Sequence, residues 1–300
     1  MQILITGGTG FIGRLLIEAS QDDEFTIVTR NPSGAMATFS QFNNVKDYVT
    51  LQEVSTVDDF DAVINLAGEP IIDKRWTDKQ KRVIESSRWD TTRHLVECLS
   101  RSTNPPGVFI SGSAIGYYGE QGDAVITESS DTSAADFSAN LCREWESIAQ
   151  SVADKTRLVI LRTGIVLHPD FGALQRMLLP FKLGLGGPIG NGSHYFSWIH
   201  WQDMIAAIQF LLNNQNVSGA FNMTAPNPVT NKEFSKALGS AVGMPAVLPA
   251  PPFVLRIMLG KGAELLTVSQ RIVPQALSDT GFEFTYTDVD GCLQSLLNDG

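Results

Sequence analysis

The sequence predicts an α/β fold: a doubly wound parallel sheet followed by a smaller C-terminal lobe. Three observations predict it. Short, continuous apolar runs rich in β-branched residues alternate with longer amphipathic segments through the first half, as they do when helices cover both faces of a parallel sheet. A glycine-rich turn joins the first apolar run to the first amphipathic segment. Beyond about residue 165 the alternation gives way to a glycine loop, isolated short runs and a Pro/Ala-rich tract.

The elements follow in chain order. Ile3–Thr6, Thr26–Thr29, Ala62–Asn65, Val108–Ser111 and Leu158–Leu161 predict buried strands. Between them, Gly13–Ser20 presents Leu15, Leu16 and Ala19, Thr77–Arg101 is marked by Ile84, Leu95 and Leu99, and Ala139–Ala153 carries Leu141, Trp145, Ile148 and Val152. Each predicts a helix. Gly184–Gly192 predicts a loop. Trp198–Asn213 predicts a short apolar run and then a helix with Ile205, Ile208 and Leu212 on one face, and Phe221–Thr224 one more strand. Thr230 and Glu233 have capping-box spacing and open a helix to about Val242. Pro245–Pro252 predicts a surface linker, and residues 253–300 a mostly helical end closing with Phe282–Tyr286 and a short amphipathic stretch. At ~150 residues per domain, the 300 residues suggest two lobes. Residues 1–167 plus about 198–225 are expected to form the nucleotide-binding lobe, and 168–197 plus 226–300 the smaller substrate lobe.

Composition narrows the function. The formal charge is −10, which argues against a nucleic-acid partner bound through clustered Lys and Arg. Charged residues are 18% of the chain, against about 25% in ordinary soluble domains, and hydrophobic residues 43%, so a large interior is expected. No run approaches the ~18 apolar residues of a membrane span. Met1–Ile5 shows no basic stretch leading into an apolar one, so no signal peptide is expected. Cys98, Cys142 and Cys292 are widely spaced, and His94, His168, His194 and His200 lack ligand spacing. No disulfide framework and no metal site are expected, and the setting reads as reducing and cytoplasmic. The expected partner is a small-molecule substrate; homo-oligomerisation stays open.

Gly7-Gly8-Thr9-Gly10-Phe11-Ile12-Gly13 lies between a strand and a helix at the start of the chain. In that context Gly7 permits a tight turn, Gly10 a close backbone approach to a pyrophosphate, and Gly13 close helix–strand packing, with the helix N–H groups of Phe11 and its neighbours facing the phosphates. The second strand runs out at Thr29-Arg30, where NAD binders carry an acid for the ribose hydroxyl. A guanidinium there pairs with a 2′-phosphate, and Thr29 adds a hydroxyl. The expected cofactor is therefore NADP, with NAD the second choice. The competing reading of Arg30 is a surface arginine at a strand end.

Thr6-Gly-Gly-Thr-Gly-Phe-Ile-Gly13, Asn65-Leu-Ala-Gly68 and Trp198-Ile-His-Trp-Gln-Asp203 resemble the corresponding segments of the extended short-chain dehydrogenase/reductases (SDR). The chain is similar above all to one atypical branch, the nucleoside-diphosphate-sugar epimerase-like "epimerase family proteins". It shares Asn65–Pro70, Arg75-Trp76, Ser87-Arg88, Trp145-Glu146, Leu161–Val166 and Pro180–Ile189 with that branch, and a short C-terminal domain like residues 248–297. The resemblance implies a Rossmann domain binding NADP(H) and a substrate lobe. It places Leu66, Ala67 and Gly68 along the adenosine and ribose, Arg88 near the cofactor phosphates, and Val166 toward the nicotinamide. Arg88 has a competing reading as part of a solvated helix face.

The resemblance also exposes a departure. Family members carry Tyr-x-x-x-Lys on a helix, the lysine lowering the phenol pKa. Here Phe137 and Leu141 stand in those places, or Ser138 and Cys142 one residue on, and neither register restores the pair. Ser113 sits where the catalytic hydroxyl would be, and Tyr117 and Tyr118 are the best replacement acids, with packing at a βα loop as their alternative. Arg75, Trp76, Trp198 and His200 are candidate substrate contacts, with core packing as theirs. The expected function is an NADP(H)-dependent oxidoreductase or epimerase-like enzyme on a small polar substrate. The alternative is a non-catalytic NADP(H)-binding sensor or partner-binding protein.

Overall fold

The computed structural model describes residues 1–250, 262 and 267–298. Its centre is a seven-stranded parallel sheet built from β1 (Gln2–Thr6), β2 (Glu24–Val28), β3 (Val45–Val49), β4 (Ala62–Asn65), β5 (Val108–Ala114), β7 (Arg157–Thr163) and β11 (Gly219–Met223). The spatial order is β11-β7-β5-β4-β1-β2-β3. Chain order reverses between β1 and β4, and the crevice at such a switch point is where ligands bind in open α/β sheets. This is a Rossmann-like architecture. Ile3, Ile5, Ile27, Ile64 and Ile110 face one apolar cluster with α1 (Phe11–Ala19) and α6 (Trp201–Asn213). Leu4, Val63 and Phe109 face another with α3 (Asp78–Arg101) and α4 (Phe137–Gln150). Side chains alternate across each strand, and both faces are covered, so the strands read as unbroken apolar runs.

The edge strand β3 is the one sheet member the apolar runs did not predict. Its sequence Val-Lys-Asp-Tyr-Val is half-exposed, with no continuous apolar stretch to mark it. The helix expected from Thr77 starts at Asp78, and Thr77 caps it, accepting from the Gln80 N–H at 3.1 Å. The Thr230/Glu233 capping box forms and opens α7 (Asn231–Ala241).

Short elements complete the fold. They are α2 (Pro32–Thr38), β6 (Val125–Ile126), β8 (Ile165–Leu167), α5 (Gly172–Lys182), β9 (Tyr195–Phe196), β10 (Trp198–His200), β12 (Val229–Thr230), β13 (Arg271–Ile272), α8 (Gln275–Asp279) and α9 (Val289–Asn298). A third cluster joins Leu167, Leu174, Phe181 and Trp198 to Phe234, Leu238, Cys292 and Leu293. Ile199 packs in the first cluster while its neighbour Trp198 packs in the third, so β10 straddles the two. Of the linker expected at 245–252, residues 245–249 carry no regular structure and Ala250 makes an isolated bridge to Ile189; 251 and 252 lie outside the described residues. So do 253–261 and 263–266 of the helical end. Among the described residues no helix is long and apolar enough to cross a membrane, and no three His, Cys, Asp or Glu gather as metal ligands.

Candidate cofactor cleft and active site

The glycine turn closes tightly between β1 and α1. Gly7 has φ +71°, and a Cβ there would lie 2.5 Å from the Leu66 carbonyl carbon and oxygen. A Cβ on Gly13 would collide with the Gly7 carbonyl oxygen. Both positions exclude side chains for steric reasons. The Gly10 N–H donates to the Gly7 carbonyl at 2.9 Å, and α1 starts at Phe11 with no side chain capping it. Its first N–H groups stay available to an anion. Leu66 and Ala67 pass directly under Gly7, with Gly68 exposed beyond them.

Arg30 is exposed at the end of β2, near enough to Glu69 to help hold that carboxyl below its ordinary range, a shift whose main cause is Lys74. Thr29 is half-buried; its hydroxyl accepts from the Asn31 N–H at 3.3 Å. The Phe11 ring stacks on Phe171 at 5.1 Å and meets His168 edge-on at 5.5 Å. Gly172 sits between that ring and the Val166 carbonyl, so the turn and the start of α5 meet there. Burial also pulls the His168 pKa down.

Ser113, Arg162 and Asn222 lie side by side on β5, β7 and β11, in direct register. Helix α4 crosses above them and turns Ser138, Cys142 and Glu146 toward Ser113 and its loop. These residues recur every fourth position, one helical face. Phe137 and Leu141 turn instead to Trp76, Ile84 and Trp89. The structure therefore settles the helix register: Ser138 and Cys142 face the serine. Burial, reinforced by Glu146, pushes the Cys142 thiol up to about 12, so it stays protonated.

Ser113 donates to Glu146 Oε1 at 2.6 Å. Arg162 clamps the same carboxylate through Nε at 2.9 Å and Nη2 at 2.8 Å. Burial opposes the charge on Arg162, but Glu146 holds its pKa above the ordinary value. Arg162 Nη1 donates to the Tyr118 hydroxyl at 2.9 Å and to the Glu128 carbonyl at 3.3 Å. Tyr118 donates to Asn222 Oδ1 at 2.7 Å. Glu128 accepts from the N–H groups of Asn222 and Ala276, tying the start of α8 into the network.

The chain matches the model of the NAD dependent epimerase/dehydratase family over residues 3–224. It belongs to that family. Residues 250–296 match a second model, a domain of unknown function (DUF1731). The mouse epimerase family protein SDR39U1 is 35% identical over 302 residues, covering 99% of this chain and 100% of the relative. The chloroplastic homologue from Arabidopsis thaliana is 38% identical over 307 residues, covering 99% and 87%. The crystal structure of the human protein with NADPH superposes with a TM-score of 0.91 at 32% identity, covering 100% of both chains.

Within this epimerase/dehydratase family member, several expected site residues are placed differently from their sequence reading. Tyr118 is 0% exposed, and burial pushes its phenol up to about 12. Its hydroxyl is committed to Asn222 and Arg162, so the structure places Tyr118 inside the buried network and not at the open surface of the cleft. Tyr117 is half-buried and its hydroxyl has no hydrogen bond to a described residue; Arg162 lies 3.7 Å from its ring centre. Trp76 is buried against Phe137 and donates to the Ile71 carbonyl at 2.7 Å. Trp198 is 0% exposed in the third cluster. His200 is 1% exposed, stacks on Tyr286 at 3.7 Å and caps α6 by accepting from the Gln202 N–H. These three present no surface to a substrate and act in packing. Arg75 remains exposed.

The sequence reading assigned no role to Glu146, Arg162, Asn222 or Glu128. One signal was available: an arginine ending the buried apolar run Leu158–Leu161 requires a buried partner.

Proposed function

We propose that the chain binds NADP(H) at the β1–α1 turn and acts as an oxidoreductase or epimerase-like enzyme of the extended SDR type on a small polar substrate. The glycine turn carries this reading: Gly7 and Gly13, which no side chain can replace, with Gly10 close against the Gly7 carbonyl, backed by Leu66–Ala67 and opening onto an uncapped helix end. The NADPH bound to the human relative supports it. When bound, the cofactor supplies a hydride donor or acceptor.

The chain's own residues divide the remaining work. The N–H groups around Gly10–Gly13 hold the pyrophosphate. Arg30 and Thr29 take the 2′-phosphate, Leu66, Ala67 and Gly68 line the adenosine side, and Val166 lies toward the reacting end. Ser113 has one hydrogen, and it goes to Glu146. Toward a ligand the Ser113 oxygen is an acceptor, which suits a substrate hydroxyl better than a carbonyl. Tyr117 is the hydroxyl free to move a proton. Residues 168–197 and 226–300 would supply the substrate lobe.

Fluorescence titration of NADPH and NADH against the wild type and Arg30→Asp tests the cofactor reading. NADPH should bind the wild type more tightly, and the substitution should weaken it by about tenfold or more. Tighter NADH binding by the wild type would overturn it. A second reading, a non-catalytic NADP(H)-binding protein, is favoured by one observation: the helix face above Ser113 offers Ser138 and Cys142 in place of a tyrosine and a lysine. Oxidation of bound NADPH by any member of a carbonyl-metabolite panel would exclude it.

A further inference from the structure

The exposed apolar side chains of the molecule gather where α5 and α7 end. Among the described residues ten large apolar side chains are strongly exposed, and six of them fall in two short stretches: Leu179, Leu183 and Leu185, and Met244, Val247 and Leu248. The other four, Met1, Met36, Val83 and Val125, are scattered singly, as on any surface. The two stretches lie side by side. The Leu183 N–H donates to the Leu179 carbonyl at 3.2 Å and the Leu185 N–H to the Pro180 carbonyl at 2.9 Å, so the chain curls back over the last turn of α5. The Leu248 N–H donates to the Gly186 carbonyl at 3.3 Å and the Ala250 N–H to the Pro188 carbonyl at 2.8 Å. A Cβ on Gly184 would lie 4.0 Å from Met244 Sδ. Leu179, Leu183, Leu185 and Val247 are 61–71% exposed, so these side chains protrude instead of lining a groove.

The charge around the two stretches is the reverse of the chain's. The formal charge is −10, with 32 acids, yet residues 171–202 and 234–263 contain no Asp or Glu and hold Arg176, Lys182, Lys236, Arg256 and Lys261 in sequence. Lys182 is exposed at the end of α5, next to Leu183. Lys236 and Ser240 share the exposed side of α7, which runs on into Met244. Neither lysine makes an ion pair with a described residue. Arg176 does pair, with Asp73. An apolar centre with a cationic rim and no acid selects its occupant. A peptide docks in a groove or along a sheet edge, and these side chains protrude. A second copy related by a two-fold axis would set the patch against itself, cations facing cations. A lipid bilayer with anionic headgroups matches both the apolar centre and the rim.

We propose that the ends of α5 and α7 form a peripheral docking surface for an anionic lipid bilayer. Leu179, Leu183, Leu185, Met244, Val247 and Leu248 enter the boundary between headgroups and acyl chains, and Lys182 and Lys236 meet the lipid phosphates. The chain lies on the membrane and does not cross it. The surface is separate from the residues assigned to the cofactor: α5 begins at Gly172 beside Phe11 and Val166 and ends at the patch, a helix about 16 Å long.

The test is co-sedimentation of the full chain with vesicles of phosphatidylcholine alone and of phosphatidylcholine mixed with phosphatidylglycerol. The wild type should bind the mixed vesicles about tenfold or more tightly than the neutral ones, and raised salt should weaken that binding. Two double variants divide the surface: Leu183→Asp with Val247→Asp removes apolar contacts, and Lys182→Glu with Lys236→Glu reverses the rim. Each should weaken binding to the mixed vesicles by about tenfold or more. Melting temperatures without lipid should stay within about 2 °C of the wild type, because the substituted side chains are exposed. A wild type that does not sediment with the mixed vesicles overturns the proposal, as does binding that neither double variant weakens. Equal binding to both kinds of vesicle overturns the anionic assignment. A lipid-free dimer that Leu183→Asp with Val247→Asp dissociates, read by sedimentation equilibrium, would give the face to a second copy and overturn the proposal. A large fall in melting temperature in that variant would mean that another part of this chain covers the face, and would overturn it too.

Discussion

Two consecutive residues of α4 face two arginines, and the fold treats the two very differently. Glu146 meets Arg162, whose guanidinium uses four of its five N–H groups in hydrogen bonds to Glu146, Tyr118 and Glu128. Trp145 meets Arg88, which has one such bond and an aromatic face. The β5–β7–β11 side is a closed polar network that ties the end of the chain to the sheet. The β1–β4 side is left open, with glycines, an uncapped helix and an arginine that makes no ion pair among the described residues. Satisfied buried polar groups specify structure, and a buried group left unsatisfied calls for an explanation of its own. The contrast separates what holds this molecule together from what it holds.

The largest test of that contrast is Arg162→Met. It strands the Glu146 carboxylate in a site where the pair is about nine-tenths buried on both sides, with side-chain exposures of 6% and 10%. Loss of one partner of a buried pair costs about 3–5 kcal/mol. Urea unfolding at neutral pH should show that loss, while Arg88→Met without ligand should change stability by less than about 0.5 kcal/mol. Comparable losses in the two variants would erase the distinction.

His200 offers a second, pH-dependent test of a buried group that the fold leaves unpaired. Among the described residues its Nε2 has no hydrogen-bond partner, and burial, helped by His168, pulls its pKa from the ordinary 6.5 to about 4. The folded value is the lower one. Between those values the unfolded chain takes up a proton that the folded chain refuses, so stability falls as pH drops from about 6.5 toward 4. From pH 7 to pH 5 the loss from this residue should be about 2 kcal/mol. Burial lowers His168 in the same direction. Urea unfolding at the two pH values should show a smaller drop in His200→Gln, which has no imidazole to protonate. The same drop in both proteins would mean that His200 gains no protection from its position.

The open side of the molecule was more legible in sequence than the closed side, for a physical reason. A phosphate-binding turn needs adjacent residues whose backbones can approach one another, so its signal is local: Gly7, Gly10 and Gly13 between a strand and a helix. The central strands were legible because both their faces are buried. The closed network is assembled from Ser113, Glu146, Arg162 and Asn222, which meet only through strand register and helix packing. Glu146 on its own reads as one more acid on an amphipathic helix. The α4 register was ambiguous because Phe137 and Leu141 and the next pair, Ser138 and Cys142, are both buried faces; the helix packs on Trp76 and Ile84 with one and on the serine loop with the other. Trp198 and His200 were misread because an aromatic beneath a cleft and one lining it look alike in sequence.

The two adjacent tyrosines sharpen the comparison at smaller scale. Tyr118→Phe deletes a hydroxyl that gives one hydrogen bond to Asn222 and takes one from Arg162. Both partners stay buried and lose it, at a cost of about 1–3 kcal/mol. Unfolding should show the loss with NADPH affinity preserved. A neutral outcome would mean that the network closes without Tyr118.

Tyr117→Phe should have the smallest effect on stability and the most informative one on chemistry. Its hydroxyl has no described partner, so deleting it leaves no buried group unsatisfied. The contact with Arg162, 3.7 Å from the ring centre, is made by the aromatic face, which phenylalanine keeps. The expected change in unfolding free energy is within about 0.5 kcal/mol, and NADPH affinity should be unaltered. A fall in turnover with those two quantities constant would assign the loss to proton transfer, because neither fold nor cofactor site has moved. A stability loss matching that of Tyr118→Phe would instead place Tyr117 inside the closed network, and the proton would have to come from elsewhere in the cleft.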